Sequence, residues 1–138
     1  MKVMVKLDDG AYMPEKAHDT DAGFDLRTPI AFQVYGRGAE VIDTGVHMVL
    51  PKGYCGLLVS KSGLNVKHSL TTTGLVDAGY TGSIRVKVYN NGHGVHIFEK
   101  GDKISQIMIL PVPEVELVME DELPETERGA NGFGSSGR

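Results

Sequence analysis

The strongest constraint on the fold is a succession of short, β-branched segments, each closed by glycine, proline or asparagine. Residues 84–89 read Ile-Arg-Val-Lys-Val-Tyr and alternate apolar with charged or aromatic side chains, as a strand with one buried face does. No stretch of eleven residues has a convincing helical period, and only Gly63–His68 leaves room for one short helical turn. We therefore predict an all-β fold, built as a sandwich, barrel or jelly roll.

The same patterning locates nine candidate strands between turn signals. Pro51-Lys52-Gly53 marks one turn, and Asn90-Asn91-Gly92 closes the alternating strand with residues typical of a hairpin. The 18 glycines and the frequent Val, Ile and Thr agree with strands joined by tight turns. The predicted strands are Val3–Leu7, Val34–Tyr35, Glu40–Asp43, Val46–Leu50, Tyr54–Val59, Ile84–Tyr89, Val95–Phe98, Ile104–Leu110 and Val115–Val118.

Composition excludes several classes of protein. The chain has 138 residues, a formal net charge of −4 and a single cysteine, Cys55. This length fits one domain, an acidic balance disfavours binding to a nucleic-acid polymer, and one thiol excludes an intrachain disulfide or a multi-cysteine zinc site. The chain has no apolar run of 18 residues and no signal-peptide core, so we expect a cytoplasmic protein that does not enter a membrane.

The chain divides into a strand-rich core and a C-terminal arm of different composition. No linker interrupts residues 1–118, which we take as one β core. Residues 119–138, the arm, are acidic at first and then read RGANGFGSSGR. Such a segment cannot bury enough apolar surface to fold alone.

The arm has two interpretations. It is a flexible tail, or it orders over a ligand. In the second case Arg128 would pair with phosphates, Phe133 would stack on a base, and the amides of Gly134 and Ser135 would approach phosphate oxygens closely.

Polar residues at the ends of the predicted strands are candidates for chemistry. Ser60-Lys61-Ser62-Gly63 follows the strand Tyr54–Val59 and offers a cation, a hydroxyl and exposed amides, which suit an anion. A plain turn is the alternative. Gln106 stands in the mostly apolar run 104–110 and faces either solvent or a ligand.

Two carboxylates stand beside glycine-rich turns. Asp77 precedes the glycine-flanked Tyr80, where a carboxylate could orient or deprotonate a water molecule. The alternative is a turn residue that bonds its own backbone, and Asp25 has the same alternative. The spacing of the five histidines does not fit a metal site.

Five blocks, in this order and spacing, resemble the trimeric dUTPase family. They span almost the whole chain, and their order is far more specific than any one of them. The blocks are AGFDL at 22–26, SKSGL at 60–64, GLVDAGYTGSIRV at 74–86, GDKISQIMILP at 101–111 and RGANGFGSSG at 128–137.

The resemblance implies a homotrimeric β-jelly roll with active sites at subunit interfaces. The arm would close over a neighbouring subunit's site. The implied reaction converts dUTP and water to dUMP and pyrophosphate with Mg²⁺, which lowers dUTP and supplies dUMP for thymidylate synthesis.

The resemblance also assigns roles to single residues. Asp77 would hold the attacking water, Asp25 would support the water shell of the magnesium ion without ligating it, and Gln106 would join a network of phosphates and water. No residue is implied as a direct metal ligand. The implied substrate contacts are Lys61, Ser62, Gly63, Thr71, Leu75, Val76, Tyr80, Arg85, Arg128, Phe133, Gly134 and Ser135.

Within that set, the resemblance distributes contacts along the nucleotide. Ser62 and Gly63 would bind phosphate, and Arg128 would bind the γ-phosphate. Tyr80 would pack on the deoxyribose and leave no room for a 2′-hydroxyl, while Phe133 would stack on uracil. The backbone of Thr71–Val76 would recognise the uracil edge, because stacking alone does not distinguish bases.

The chain departs from the family pattern in its second block, which usually reads Pro-Arg-Ser-Gly. Lys61 stands where that pattern has arginine, so the charge is kept and the bidentate fork is lost. The segment 67–73 is short and lacks the asparagine that some members use against uracil. Thr71 is the nearest positional match.

Two other functions remain open from sequence. The dCTP deaminases share the fold but use a general acid or base, usually a glutamate, and no glutamate occurs between Pro51 and Glu99. A dUTP-gated interaction protein, in which nucleotide orders the arm against a partner, could coexist with catalysis.

Overall fold

The computed structural model describes residues 1–134, 136 and 137, and shows an all-β protein. These residues contain one helix, which is seven residues long. It is not long and apolar enough to cross a membrane. In chain order the elements are β1 (Met4–Leu7), β2 (Phe24–Arg27), β3 (Phe32–Val34), β4 (Ala39–Val49), β5 (Tyr54–Val59), α1 (Ser62–His68), β6 (Leu70–Val76), β7 (Ser83–Asn90), β8 (His96–Phe98) and β9 (Lys103–Pro111).

Seven strands form one curled antiparallel sheet. Their order is β1-β4-β7-β6-β5-β9-β2, and β3 pairs with β8 in a separate two-stranded sheet. Burial of the inward-facing apolar side chains drives this arrangement. The most deeply buried of them are Leu26, Val34, Val46, Leu70, Ile84, Val86, Val88, Phe98, Ile104 and Ile107.

The alternation over residues 84–89 is confirmed by strand β7. Ile84, Val86 and Val88 are buried in the core, whereas Arg85 and Lys87 are exposed. The period of two therefore sets which side chains reach the outer surface.

The predicted strands Glu40–Asp43 and Val46–Leu50 are one strand, β4. Between them the chain makes a bulge rather than a turn, with Gly45 at a φ of 67°. The Thr44 hydroxyl donates to the Ile84 carbonyl oxygen at 2.7 Å. A bulge uses residues that look like a turn in sequence, but it keeps the strand in the sheet.

One predicted strand is wrong, and two strands were missed. Val115–Val118 is not a strand, because β9 ends at Pro111 and these side chains are exposed. Strands β2 and β6 were not predicted, and β6 pairs with both β5 and β7.

The asparagine-rich segment after β7 does not close a hairpin. Strand β7 pairs with β4 and β6, while the next strand, β8, pairs with β3. Asn90 instead donates from its side-chain amide to the carbonyl oxygens of Val34 at 3.0 Å and Gly94 at 2.8 Å. It therefore links the two sheets.

Candidate active site

One cleft, which we call the Asp77 cleft, lies where β6 ends and β7 begins. It has a volume of about 260 Å³ and collects five of the residues predicted from sequence. Strand β6 ends at Val76 and β7 begins at Ser83, so a short connection links the two strands at the cleft. The cleft is lined by Leu58, Gly74, Leu75, Val76, Asp77, Tyr80, Ile84 and Arg85.

Asp77 presents its carboxylate to solvent in this cleft. Its backbone carbonyl oxygen accepts from the Tyr80 amide at 3.0 Å, which makes a tight turn. Among the described residues the Asp77 side chain has no hydrogen-bond partner, so the alternative of a carboxylate bonded to its own backbone is wrong. An exposed carboxylate without a protein partner is free to hold a water molecule.

Tyr80 is held in a fixed orientation by its own turn. Its hydroxyl donates to the Ser83 carbonyl oxygen at 2.8 Å, and its ring lies over Gly82. A Cβ atom at Gly82 would lie only 2.5 Å from the Tyr80 hydroxyl oxygen. Glycine at position 82 is therefore required for this ring position.

Arg85 reaches the cleft from the outer face of β7. Its Nε lies 3.6 Å from a carboxylate oxygen of Asp43 on the neighbouring strand. The Ser83 hydroxyl and then the Gly45 amide hold the pKa of Asp43 below its ordinary value, so Asp43 is ionised at neutral pH. This carboxylate orients Arg85 on a largely exposed surface.

A second group, the Asp25 cluster, lies where β2, β9 and the end of β5 meet. It consists of Asp25, Lys61, Lys103 and Gln106. Asp25 is buried, with 6% of its surface exposed, and accepts from Lys61 and from Lys103 at 2.6 Å. Burial raises the pKa of this carboxyl, but the bonds from Lys103 and Lys61 outweigh burial, so the pKa is lowered overall. The buried charge is therefore paired on both sides.

Gln106 lies opposite Asp25 in the β2–β9 ladder. Its side-chain amide donates to the Ser60 carbonyl oxygen at 3.1 Å. A Cβ atom at Gly23 would lie 2.7 Å from the Gln106 Oε1 atom, so glycine makes room for this side chain. Gln106 is therefore half-buried beside Asp25 and does not face solvent alone.

Lys103 was missed by reasoning from sequence. It stands at the start of the apolar run 104–110, where a lysine looks like an ordinary strand end. Its pairing with Asp25 joins residues 78 positions apart, which no local pattern reveals. The resemblance to the family pointed to Lys61 and Gln106 as site residues, but it did not point to Lys103.

Ser62 and Gly63 begin α1, directly after Lys61. Both are exposed, and no atom lies within 4 Å of where a Cβ at Gly63 would stand. A ligand can therefore approach this backbone closely. The segment connects the Asp25 cluster to open surface.

Thr71 is not brought to the Asp77 cleft. It lies in β6 opposite Tyr89, and its hydroxyl accepts from the Asn91 side-chain amide at 3.0 Å. The Thr71 hydroxyl is therefore bonded to a residue just after the end of β7, and Thr71 does not line the cleft.

The arm is the third group. Arg128 donates from its guanidinium to the carbonyl oxygens of Asn131 at 2.9 Å and Gly132 at 3.2 Å, and Phe133 is fully exposed. Gly134 has a φ of 81°, and Ser135 lies outside the described residues. Within the described part of the chain, no hydrogen bond or ion pair joins the arm to the Asp77 cleft or to the Asp25 cluster.

The comparisons with known proteins show the family of the chain. A family model described as dUTPase matches residues 9–137. The chain belongs to the dUTPase family. The resemblance stated from five sequence blocks is therefore confirmed, and the dUTPase family is a family of hydrolases.

Curated members of the dUTPase family are similar over most of the chain. The deoxyuridine 5′-triphosphate nucleotidohydrolase of Tropheryma whipplei (strain Twist) is 39% identical over 133 residues, covering 94% of this chain and 91% of that protein. The protein of the same name from Leifsonia xyli subsp. xyli is 42% identical over 129 residues, covering 91% and 85%.

Solved dUTPase structures share the fold. The Staphylococcus bacteriophage 80alpha dUTPase with dUpNHpp has a TM-score of 0.93 at 34% identity, and the match covers 99% of both chains. A mutant dUTPase from phage phi11 of S. aureus, which shows coordination of a structural Mg(II) ion, has a TM-score of 0.83 at 31% identity, covering 88% of this chain and 98% of that one.

Proposed function

We propose that the protein hydrolyses dUTP to dUMP and pyrophosphate. A water molecule oriented by Asp77 attacks the α-phosphorus, and pyrophosphate leaves. The observation that carries this proposal is the unpartnered carboxylate of Asp77 in the same cleft as Tyr80 and Arg85. Positioning a water in line with the leaving group is the main task in phosphoryl transfer.

The Asp77 cleft is suited to the uracil and the deoxyribose. Backbone groups at the end of β6, at Leu75 and Val76, recognise the uracil edge, and the methyl group of thymine would clash there. Cytosine would leave donors and acceptors mispaired, which discriminates strongly. The Tyr80 ring is fixed by its bond to the Ser83 carbonyl oxygen, so it cannot move aside for a 2′-hydroxyl.

The Asp25 cluster and the start of α1 are suited to the phosphates. Lys61 offers a positive charge, Ser62 and Gly63 offer a hydroxyl and an open backbone, and Gln106 offers an amide. These donors offset the negative charge that develops on the leaving pyrophosphate.

Mg²⁺ would enter this site with the nucleotide. The described residues contain no group of three His, Cys, Asp or Glu side chains arranged to hold a metal, and Mg²⁺ commonly binds through substrate phosphates and water. Both carboxylate oxygens of Asp25 accept from lysines, and their remaining lone pairs can accept from metal-bound water. When bound, the ion would neutralise charge on the phosphates.

We further propose that the active protein is a homotrimer with a jelly-roll core over 1–118. The separation of the Asp77 cleft, the Asp25 cluster and the arm in one chain supports sites shared between subunits. The arm would close over a neighbour's site, where Arg128 meets the γ-phosphate and Phe133 stacks on uracil. The exposed apolar side chains of Leu117 and Val118, just before the arm, and of Leu123 within it agree with contact to another subunit. In the cytoplasm this activity would lower dUTP and supply dUMP for thymidylate synthesis.

A substrate panel tests the reaction. Pyrophosphate release is measured with dUTP, dTTP, dCTP and UTP, with and without Mg²⁺, and only dUTP with Mg²⁺ is expected to turn over rapidly. Comparable hydrolysis of dTTP would refute the uracil cleft, and ammonia released from dCTP would indicate a deaminase.

A matched pair of variants tests the role of Asp77. Asp77→Asn is expected to lower kcat by about 10²–10⁴ while binding of dUpNHpp persists. Asp19→Asn, a change at an exposed carboxylate, is the control and should leave kcat unchanged. Equal activity of the two variants would remove Asp77 from the mechanism.

A nucleotide-gated interaction is a second candidate function. Phage dUTPases represented by the 80alpha protein are described as controlling transfer of virulence genes by a G protein-like mechanism, and this chain is 34% identical to that protein. An arm that orders on dUTP would offer a surface that depends on nucleotide. An Asp77→Ala protein that binds dUTP and still engages a partner would support this function. If blocking hydrolysis in this way abolished partner binding, the result would count against it.

A further inference from the structure

His47 lies in β4 beside the segment that carries Asp77 and Tyr80. Its Nδ1 atom is 2.9 Å from the carbonyl oxygen of Thr81, and its Nε2 atom is 3.1 Å from a carboxylate oxygen of Asp8. The imidazole therefore bridges the loop after β1 and the turn between β6 and β7. None of the roles assigned so far uses this residue.

The two partners define the protonation state that this geometry needs. The Thr81 carbonyl can only accept a hydrogen bond, and so can the ionised carboxylate of Asp8. Both ring nitrogens must then carry a proton, which makes His47 an imidazolium. A neutral ring can keep only one of the two bonds.

In the neutral ring the contacts with Thr81 and Asp8 compete for one proton, and the contact with Thr81 is the shorter, at 2.9 Å against 3.1 Å. A carboxylate accepts a stronger hydrogen bond than a carbonyl does, so we infer that the proton moves to Nε2, facing Asp8. Nδ1 then presents a lone pair to the Thr81 oxygen, which repels it. Deprotonation therefore releases the turn and keeps the contact with the N-terminal loop.

Three charged side chains lie near His47, and one of them is paired with Arg85. Asp8 contacts it directly, and Lys6 lies opposite it in the β1–β4 ladder. Asp43 lies at the other end of the β4 bulge and pairs with Arg85 of the adjacent β7. The bond to the Thr81 carbonyl and then the bond to Asp8 raise the pKa of His47, against the opposing effect of Lys6.

The region of the β4 bulge contacts the connection between β6 and β7 at two points. His47 contacts Thr81, which is flanked by Tyr80 and Gly82. Asp43 accepts from the Ser83 hydroxyl. A displacement of Thr81 would move the ring of Tyr80, whose hydroxyl is anchored only two residues beyond Thr81, at Ser83.

We propose that His47 is a positioning residue which, when doubly protonated, holds the Thr81 carbonyl and thereby fixes the segment Asp77–Gly82 for catalysis. This rests on the proposed dUTP hydrolysis for its kinetic consequence. The structural link between His47 and the segment stands without it. Protonation of His47 favours the catalytic arrangement, so kcat/KM contains a component that falls as pH rises through the raised pKa of His47.

Two variants, each of which keeps one of the two hydrogen-bond donors, test the role of His47. They distinguish positioning of the Thr81 turn from simple anchoring of the N-terminal loop. The amide of His47→Asn can replace Nδ1 and donate to Thr81 without titrating, whereas the amide of His47→Gln replaces Nε2 and donates to Asp8. We expect His47→Asn to keep kcat/KM and lose the pH-dependent component. We expect His47→Gln to lose about threefold to tenfold in kcat/KM at pH values where His47 of the unaltered protein is protonated, and to show no pH-dependent component. A residue that merely anchors the N-terminal loop would give the opposite order.

Two further variants complete the kinetic test. Asp8→Asn removes the facing charge, so the pH-dependent component should move to lower pH. His93→Asn changes a histidine that contacts Arg37 elsewhere on the surface, and it should leave the profile as in the unaltered protein. The proposal is overturned if His47→Gln is as active as His47→Asn, or if His93→Asn removes the same component.

A measurement on the ligand-free protein keeps this test independent of the reaction. The ring proton of His47 and the backbone amides of residues 78–82 are followed by NMR as pH is raised. The amides should shift with the same midpoint as His47, and in His47→Asn that shift should vanish. Amides that do not follow His47 would refute the link, whereas failure of the unaltered protein to hydrolyse dUTP would refute only the proposed function.

Discussion

The carboxylate of Asp25 lies 2.6 Å from the ammonium group of Lys103, across the ladder formed by β2 and β9. The same carboxylate also accepts from Lys61. A buried carboxylate between two lysines is stable only as an intact set, because removing one member leaves uncompensated charge. This relationship connects the stability of the sheet to the proposed phosphate site.

Asp25→Asn should lower the free energy of unfolding by about 1–3 kcal/mol at neutral pH. The pKa of Asp25 is lowered in the folded protein, so its contribution is present above the ordinary carboxyl pKa and is lost as pH falls below about 4. Thermal unfolding measured across this range should show a difference from the unaltered protein that shrinks on acidification. Asp19→Asn, in an exposed loop, should show no difference. A gap that widens in acid would contradict the assignment.

Lys61→Met and Lys103→Met form a matched pair. Each removes one ion pair with Asp25, so both should destabilise the protein to a similar extent in thermal unfolding. Only Lys61→Met should also weaken binding of dUpNHpp, by about 1.5–3 kcal/mol, as expected for a bond to a charged group. Calorimetric titration measures both affinities. Equal affinities in the two variants would remove Lys61 from the phosphate site.

Gly82→Ala should reduce discrimination between dUTP and UTP. An added Cβ would meet the Tyr80 hydroxyl at 2.5 Å, so the ring must leave its position and open space beside the sugar. The measurement is the ratio of kcat/KM for the two nucleotides. Gly79→Ala, in the same turn, adds a Cβ with no atom within 4 Å and should keep the ratio. Unaltered discrimination in Gly82→Ala would show that the ring position does not exclude the ribose.

Phe133→Ala should weaken nucleotide binding without changing stability. The ring is fully exposed, so thermal unfolding of the free protein should be the same in both proteins. Stacking on a base contributes about 1–3 kcal/mol, and KM for dUTP should rise accordingly. Val66→Ala, at an exposed apolar side chain of α1, is the control. A destabilised Phe133→Ala protein would mean that the arm packs on the core without nucleotide.

Strands were predicted best from sequence where pairing with a neighbouring strand leaves the run of apolar and polar residues uninterrupted. Tyr54–Val59 matches β5 in both bounds, and the alternation in β7 predicts its buried face. The bulge at Gly45 could not be distinguished from a turn, because the same residue types serve both. Val115–Val118 is rich in apolar residues, as a strand is, but strand formation also needs a paired neighbour, and within the described residues this segment pairs with no strand.

The candidate site shows the same division between local and long-range information. Asp77 and Tyr80 belong to one short segment, and the structure places them in one cleft. The lysines that pair with Asp25 lie 36 and 78 positions away along the chain, and only folding brings the three residues together. For that reason Asp25 looked like a turn residue in the sequence and is a buried strand residue in the structure.

The distribution of the candidate site over separate regions of the chain has a genetic consequence. The Asp77 cleft, the Asp25 cluster and the arm are distinct surfaces of one copy. If the arm of one copy serves the cleft of another, two differently damaged copies could compensate for each other when they are made in the same cell. A lesion in Arg128 and a lesion in Asp77 would then behave as complementing alleles, although each alone would impair turnover.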